Sequence, residues 1–203
     1  MNMPKQQVYW VLLLCSLLAC RSEYLPSDFL SYANDPTNGL RTVKRVGGLE
    51  FDLLYQAPAY IIANELRTNA IAPEVFKSRR EALTELQYYR LKIGVADGSE
   101  NITTYGVTDV GGQQDRLYYL SYHFQDDLRL IQGRDTLRAS FCHFERNYDI
   151  APHRTFMLAF PRGQEPVDRQ LLLDATELGA GPVKLKITQK AIDGIPDIKL
   201  QHQ

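Results

Sequence analysis

The sequence predicts a mainly β fold, an antiparallel β-sandwich with one packed α-helix at about residues 73–89, on three observations. About eight short apolar runs alternate with polar residues at period two. Turn signals separate them at intervals of about 8–12 residues. The chain also lacks the strand–helix–strand alternation that builds a parallel sheet. At 203 residues with 44% hydrophobic content, one domain can bury an adequate core without a disulfide or metal staple.

The leading segment comes first. Met1 to Gln7 is polar with one cation, Lys5, and Val8 to Leu18 is an unbroken apolar run, VYWVLLLCSLL. At 1.5 Å per residue this run covers about half of a hydrocarbon core roughly 30 Å thick. It has the proportions of a signal-peptide core. Leu17-Leu18-Ala19-Cys20 follows, then the polar Arg21-Ser22-Glu23. This order resembles the lipobox of bacterial lipoproteins. The resemblance implies a signal peptide over residues 1–19, lipid attachment at Cys20, and a membrane as the first partner. More than one acyl chain there gives stable rather than marginal attachment. Arg21 is not the Asp that favours inner-membrane retention in enterobacterial lipoproteins, so the resemblance implies the outer membrane, facing periplasm or cell surface. Of Cys15, Cys20 and Cys142, only Cys142 then remains unmodified, which excludes an intramolecular disulfide. Cys142 reads as a small buried hydrophobe.

Residues 20–45 read as a lipidated tether, because Pro26, Asn34-Asp35-Pro36 and Asn38-Gly39 are breaker signals. Their apolar residues predict partial packing, with a short helix after Ser27. Residues 46–203 read as a single β-rich domain, opened by Gly47-Gly48. Leu49, Phe51, Leu53 and Tyr55 alternate as a half-buried strand. Ala59 to Leu66 fits either strand or helix. Pro73 suits a first helical turn, and Val75, Phe76, Ala82, Leu83, Leu86 and Tyr89 fall on one face, predicting a core-facing stripe.

Beyond the helix, Arg90–Ala96 alternates and Asp97-Gly98 turns. Val107–Val110 and Leu117–Phe124 read as strands, the second with Tyr118, Leu120, Tyr122 and Phe124 on one face. Leu128–Ile131 leads into a hairpin turn at Gln132-Gly133-Arg134-Asp135, with Thr136–Arg146 as its return arm. Phe156–Phe160, Leu171–Asp174 and Val183–Ile187 complete the strands, and Ile195–Ile198 closes the domain.

A formal net charge of -1 calls for no polyanionic partner, so nucleic acid is not expected. There is no G-x-S-x-G elbow and no phosphate-cradling Gly-rich loop, and no cofactor is implied. Two residue sets are candidates for function. His143 and Glu145 share a strand face, and His153 returns beyond a loop, so two imidazoles and a carboxylate would suit zinc with an open position. Tyr118, Tyr119 and Tyr122 offer apolar area with a hydrogen-bonding tip, as sugar or peptide sites use. The sequence therefore points to a non-enzymatic, lipid-anchored envelope protein that binds an assembly partner or a polymer. The alternative is a lipid-anchored, metal-dependent hydrolase using His143, Glu145 and His153.

Overall fold

A computed structural model describes residues 22–145 and 152–201. The leading segment, with Cys15 and the lipid-attachment candidate Cys20, lies outside the described residues.

Two antiparallel sheets carry the fold. The larger has five strands in the order β2 (Arg41–Val46), β3 (Leu49–Gln56), β4 (Leu86–Val95), β8 (His153–Pro161) and β7 (Phe141–Glu145). The smaller has four, in the order β10 (Gly181–Ile187), β9 (Arg169–Ala175), β5 (Leu128–Gln132) and β6 (Asp135–Leu137). A short parallel pair, β1 (Glu23–Tyr24) with β11 (Asp197–Ile198), joins the two ends of the described chain. The helices are α1 (Pro26–Asn34), α2 (Pro58–Leu66), α3 (Pro73–Ala82), α4 (Val110–Tyr118) and α5 (Gln189–Asp193). The predicted β-rich, antiparallel character holds, but among the described residues there are five α-helices, where the sequence predicted one packed helix and a short one after Ser27 and left Ala59–Leu66 open.

Local chemistry explains the hairpins. Gly47 and Gly48 take φ of +58° and +79°, the two positive values that a two-residue type I′ loop needs between β2 and β3. Gln132-Gly133-Arg134-Asp135 turns as expected, with Gln132 opposite Asp135. The return arm is corrected: β6 is only three residues long, and the chain then crosses to the larger sheet as β7, paired with β8. Side chains from both sheets form one hydrophobic cluster, including Phe51, Tyr89, Phe156, Phe160, Leu171 and Leu185, all essentially buried.

The expected helix over 73–89 stops at Ala82. Leu86 onward is β4, where every second residue from Gln87 to Val95 is buried. A strand paired over Tyr88–Val95 with β3 and over Leu86–Gly94 with β8 outweighs one more helical turn. Nor does the stripe form a core: α3 buries no residue, Val75 is exposed, and Phe76 and Leu83 are only partly covered.

The strands expected at Val107–Val110 and Leu117–Phe124 are also corrected. The Asp109 carboxylate accepts the Gly112 N–H at 2.9 Å and caps α4. The chain then continues as a π turn, Tyr119–His123, and a 3-10 turn, Phe124–Asp127. Leu120 and Phe124 are buried, four residues apart as on a helix, and Phe124 stacks on Phe156 with centroids 4.0 Å apart.

The segment from Glu23 to Arg45, read as tether, is mostly domain. Phe29, Ala33 and Leu40 are buried, and β2 pairs with β3. Helices α1 and α2 lie on the outer face of the larger sheet, where Arg90 donates to the Asn34 side-chain oxygen at 3.1 Å and to the Tyr60 hydroxyl at 3.4 Å. Leu54 is therefore fully buried although it faces away from the shared core. Beside it the buried Asp52 carboxylate accepts two bonds of 2.8 Å from the Arg41 guanidinium. Among the described residues no helix is long and apolar enough to cross a membrane.

Candidate functional site

Among the described residues, the exposed aromatic side chains Tyr118, Tyr122 and Phe141 lie near one edge of the larger sheet. Inward-facing Leu120 and Phe124 anchor the helical run from Val110 to Asp127, so Tyr118 and Tyr122 point outward, each 58% exposed. Their ring centroids are 5.1 Å apart, and the His123 ring lies 5.3 Å from that of Tyr118. The widened turn over Tyr119–His123 belongs to a class of helical irregularity that recurs at functional sites.

Across from it stands β7, an edge strand of the larger sheet. Its outward residues Phe141 and His143 hold their rings nearly parallel, 6.1 Å apart, with Phe141 53% exposed. Between the two elements lies a hollow of about 460 Å³ lined by Ser121, Tyr122, Cys142, His143 and Phe144. The Ser121 hydroxyl in this wall is shielded from solvent and has no hydrogen-bond partner among the described residues. Burial pushes the Cys142 thiol up to about 12, so thiolate is scarce at neutral pH and Cys142 serves as packing.

Two of the three predicted tyrosines thus belong to this surface. The third, Tyr119, does not: its hydroxyl donates to Asp127 at 2.7 Å, and burial drives its pKa upward. Sequence reasoning placed His143 and Glu145 on one face but gave no sign that this face meets Tyr122. Only the pairing of β7 with β8 brings the two together.

The metal set separates. His143 and Glu145 share a face as expected, but the register that sets Glu145 opposite Thr155 puts His153 two positions past Glu145 and four past His143. Four positions are roughly 13 Å along a strand. Among the described residues no three His, Cys, Asp or Glu side chains cluster closely enough to hold a metal ion.

His153 instead lines a charged hollow of about 260 Å³ with Arg41, Glu50, Asp52 and Lys92. Burial and the Lys92 ammonium hold its pKa below the ordinary histidine value. Lys92 is itself held low by burial and by Arg90. A histidine with a depressed folded pKa binds its proton more readily when unfolded. Its share of stability is therefore intact above about pH 6.5 and is lost as pH falls from there to its folded value. The wild type is expected to lose more stability than His153→Asn between about pH 7.5 and 5, read as urea midpoints. Equal losses would place the titration elsewhere.

The sequence matches no protein-family model and no curated protein. Among solved structures it is similar to a Burkholderia pseudomallei protein of unknown function, at 10% identity over 96% of each chain and a TM-score of 0.38. Similarity of that size carries no inference about activity.

Proposed function

We propose that this chain is a lipid-anchored protein of the bacterial cell envelope, attached through Cys20 at the outer membrane, whose domain binds an envelope polymer or protein rather than transforming a substrate. One observation carries the binding part: Tyr122 from a helical turn and His143 from an edge strand line a single hollow, and each has a second exposed ring beside it, Tyr118 and Phe141. Clusters of exposed rings with few charges are the surfaces on which sugars and protein partners dock. Two sheets that share one core support reading the frame beneath as a two-layered sandwich.

The anchor is tested by the intact mass and membrane fractionation of the native protein. Acyl mass at Cys20 is expected, and Cys20→Ala is expected to lose both that mass and tight membrane association. The binding surface is tested with cell-wall glycan fragments and, for a protein partner, by photo-crosslinking from position 118. Replacing Tyr118 and Tyr122 together with Ala should weaken capture by about 2 kcal/mol, roughly 30-fold. The melting temperature should stay unchanged, since both rings are largely in solvent. Undiminished capture by that variant would overturn the assignment.

A further inference from the structure

A second hollow lies where the described chain begins. Strand β1 is held in parallel register with β11, Glu23 opposite Asp197 and Tyr24 opposite Ile198, and the Lys199 N–H donates to the Tyr24 carbonyl at 2.7 Å. Asp197 and Ile198 are also walls of a hollow of about 470 Å³ among the start of α2, the helix α3 and the C-terminal segment. Its polar lining includes Arg80, Thr84, Arg162 and Asp197. Its apolar lining includes Phe76, Ile195 and Leu200.

The charge there is unbalanced. Asp197 is the one carboxylate of the lining against two arginines. Among the described residues neither guanidinium has a carboxylate partner: the ion pairs with Asp and Glu use Arg41, Arg45, Arg79 and Lys186. Arg162 makes one long bond, 3.4 Å, to the Leu86 carbonyl. The N-cap Ala57 and the first residues of α2, Pro58 and Ala59, also border the hollow, and that helix start has no side-chain cap. Its partial positive charge adds to the two cations. A hollow whose lining combines two arginines that lack carboxylate partners with several apolar side chains fits an amphiphile with an anionic head.

Position selects the kind of amphiphile. Cys20 precedes Glu23 by three residues, a reach of at most about 10 Å. Acyl chains on Cys20 would therefore enter a bilayer close to β1 and to the hollow beside it. Resting on the anchor reading above, we propose that this hollow binds the phosphate head and first acyl carbons of an anionic membrane lipid, which orients the domain on its own membrane. The guanidinium groups pair with the phosphate oxygens, and the lipid glycerol lies toward Phe76 and Leu200. The aromatic ledge remains free for its own partner.

The test is hydrogen exchange on the full chain with vesicles of phosphatidylcholine, alone or mixed with phosphatidylglycerol. In the mixed vesicles, amides in residues 76–84 and 192–200 should exchange about tenfold more slowly than with phosphatidylcholine alone. The slowing should vanish in a variant carrying Arg80→Gln and Arg162→Gln whose melting temperature is unchanged. Equal exchange with the two vesicle types overturns the proposal, as does slowing that survives the double substitution. It is also overturned if inorganic phosphate added to phosphatidylcholine vesicles reproduces the slowing, since the site would then read a free anion. Acyl mass at Cys20 with no lipid-dependent slowing removes the site and leaves the anchor. Slowing that depends on the two arginines, in a chain without acyl mass, supports the site and removes the anchor.

Discussion

Replacing Gln87 with leucine is expected to lower folding stability by about 3 kcal/mol, the loss associated with stranding buried polar groups. Gln87 is 3% exposed and sits between the two sheets. Its side-chain nitrogen donates to Gln132 at 2.9 Å and to the Pro161 carbonyl at 2.8 Å. Its oxygen accepts the Tyr89 hydroxyl and the Arg169 Nε–H, both at 2.9 Å. Arg169 then reaches Gln189 at 2.7 Å and stands 5.8 Å above the Tyr55 ring. Leucine fills a similar volume, so packing is nearly conserved, while the buried phenol and the half-buried guanidinium lose their acceptor. For a domain of this size the melting temperature should fall by roughly 6–12 °C. A loss below about 1 kcal/mol would show that those groups find water or another partner instead.

The second large effect is expected at the β2–β3 turn. Gly47→Val should cost about 2–4 kcal/mol, because a β-branched residue is forced to positive φ and into its neighbour. A Cβ on Gly47 would stand 2.6 Å from the Ala180 Cα and 3.0 Å from its Cβ, so backbone as well as side chain must move. Gly98 provides the control. It has φ +68° with nothing within 4 Å of an added Cβ, so Gly98→Ala should cost only the conformational part, about 1 kcal/mol. If denaturant unfolding gives the two variants similar losses, the close approach of the hairpin to the turn before β10 contributes nothing.

The contrast between these glycines parallels what could be read from the sequence. The Gln132–Asp135 turn and the core-facing parity of β3 were legible because turn φ values and side-chain parity operate within a few residues, whereas the burial of the other face of β3, at Asp52, Leu54 and Gln56, was not. Residues 117–124 were misread for a specific reason. Leu120 and Phe124 are four apart, a separation that satisfies both the strand period and the helix period. The signal that distinguished them was upstream, in the Asp109 cap. The end of α3 was misread because Leu86 and Tyr89 extend a helical stripe as well as they begin a strand. The candidate site was legible in half: Tyr118 and Tyr122 stood out by type, while their approach to His143 depends on which sheet receives Phe141–Glu145.

The sequence by itself determined the antiparallel, β-rich character, the principal turns and the inventory of side chains open to binding, since these follow from short-range sterics and local periodicity. Tertiary structure alone decided which strands share a sheet, which ambiguous segments became helices, and that Asp52 and Gln87 are buried with partners from other strands. The physical reason is that burial and hydrogen-bond satisfaction belong to pairs of surfaces. A residue's free energy in those terms has no value until the segment that covers it is in place.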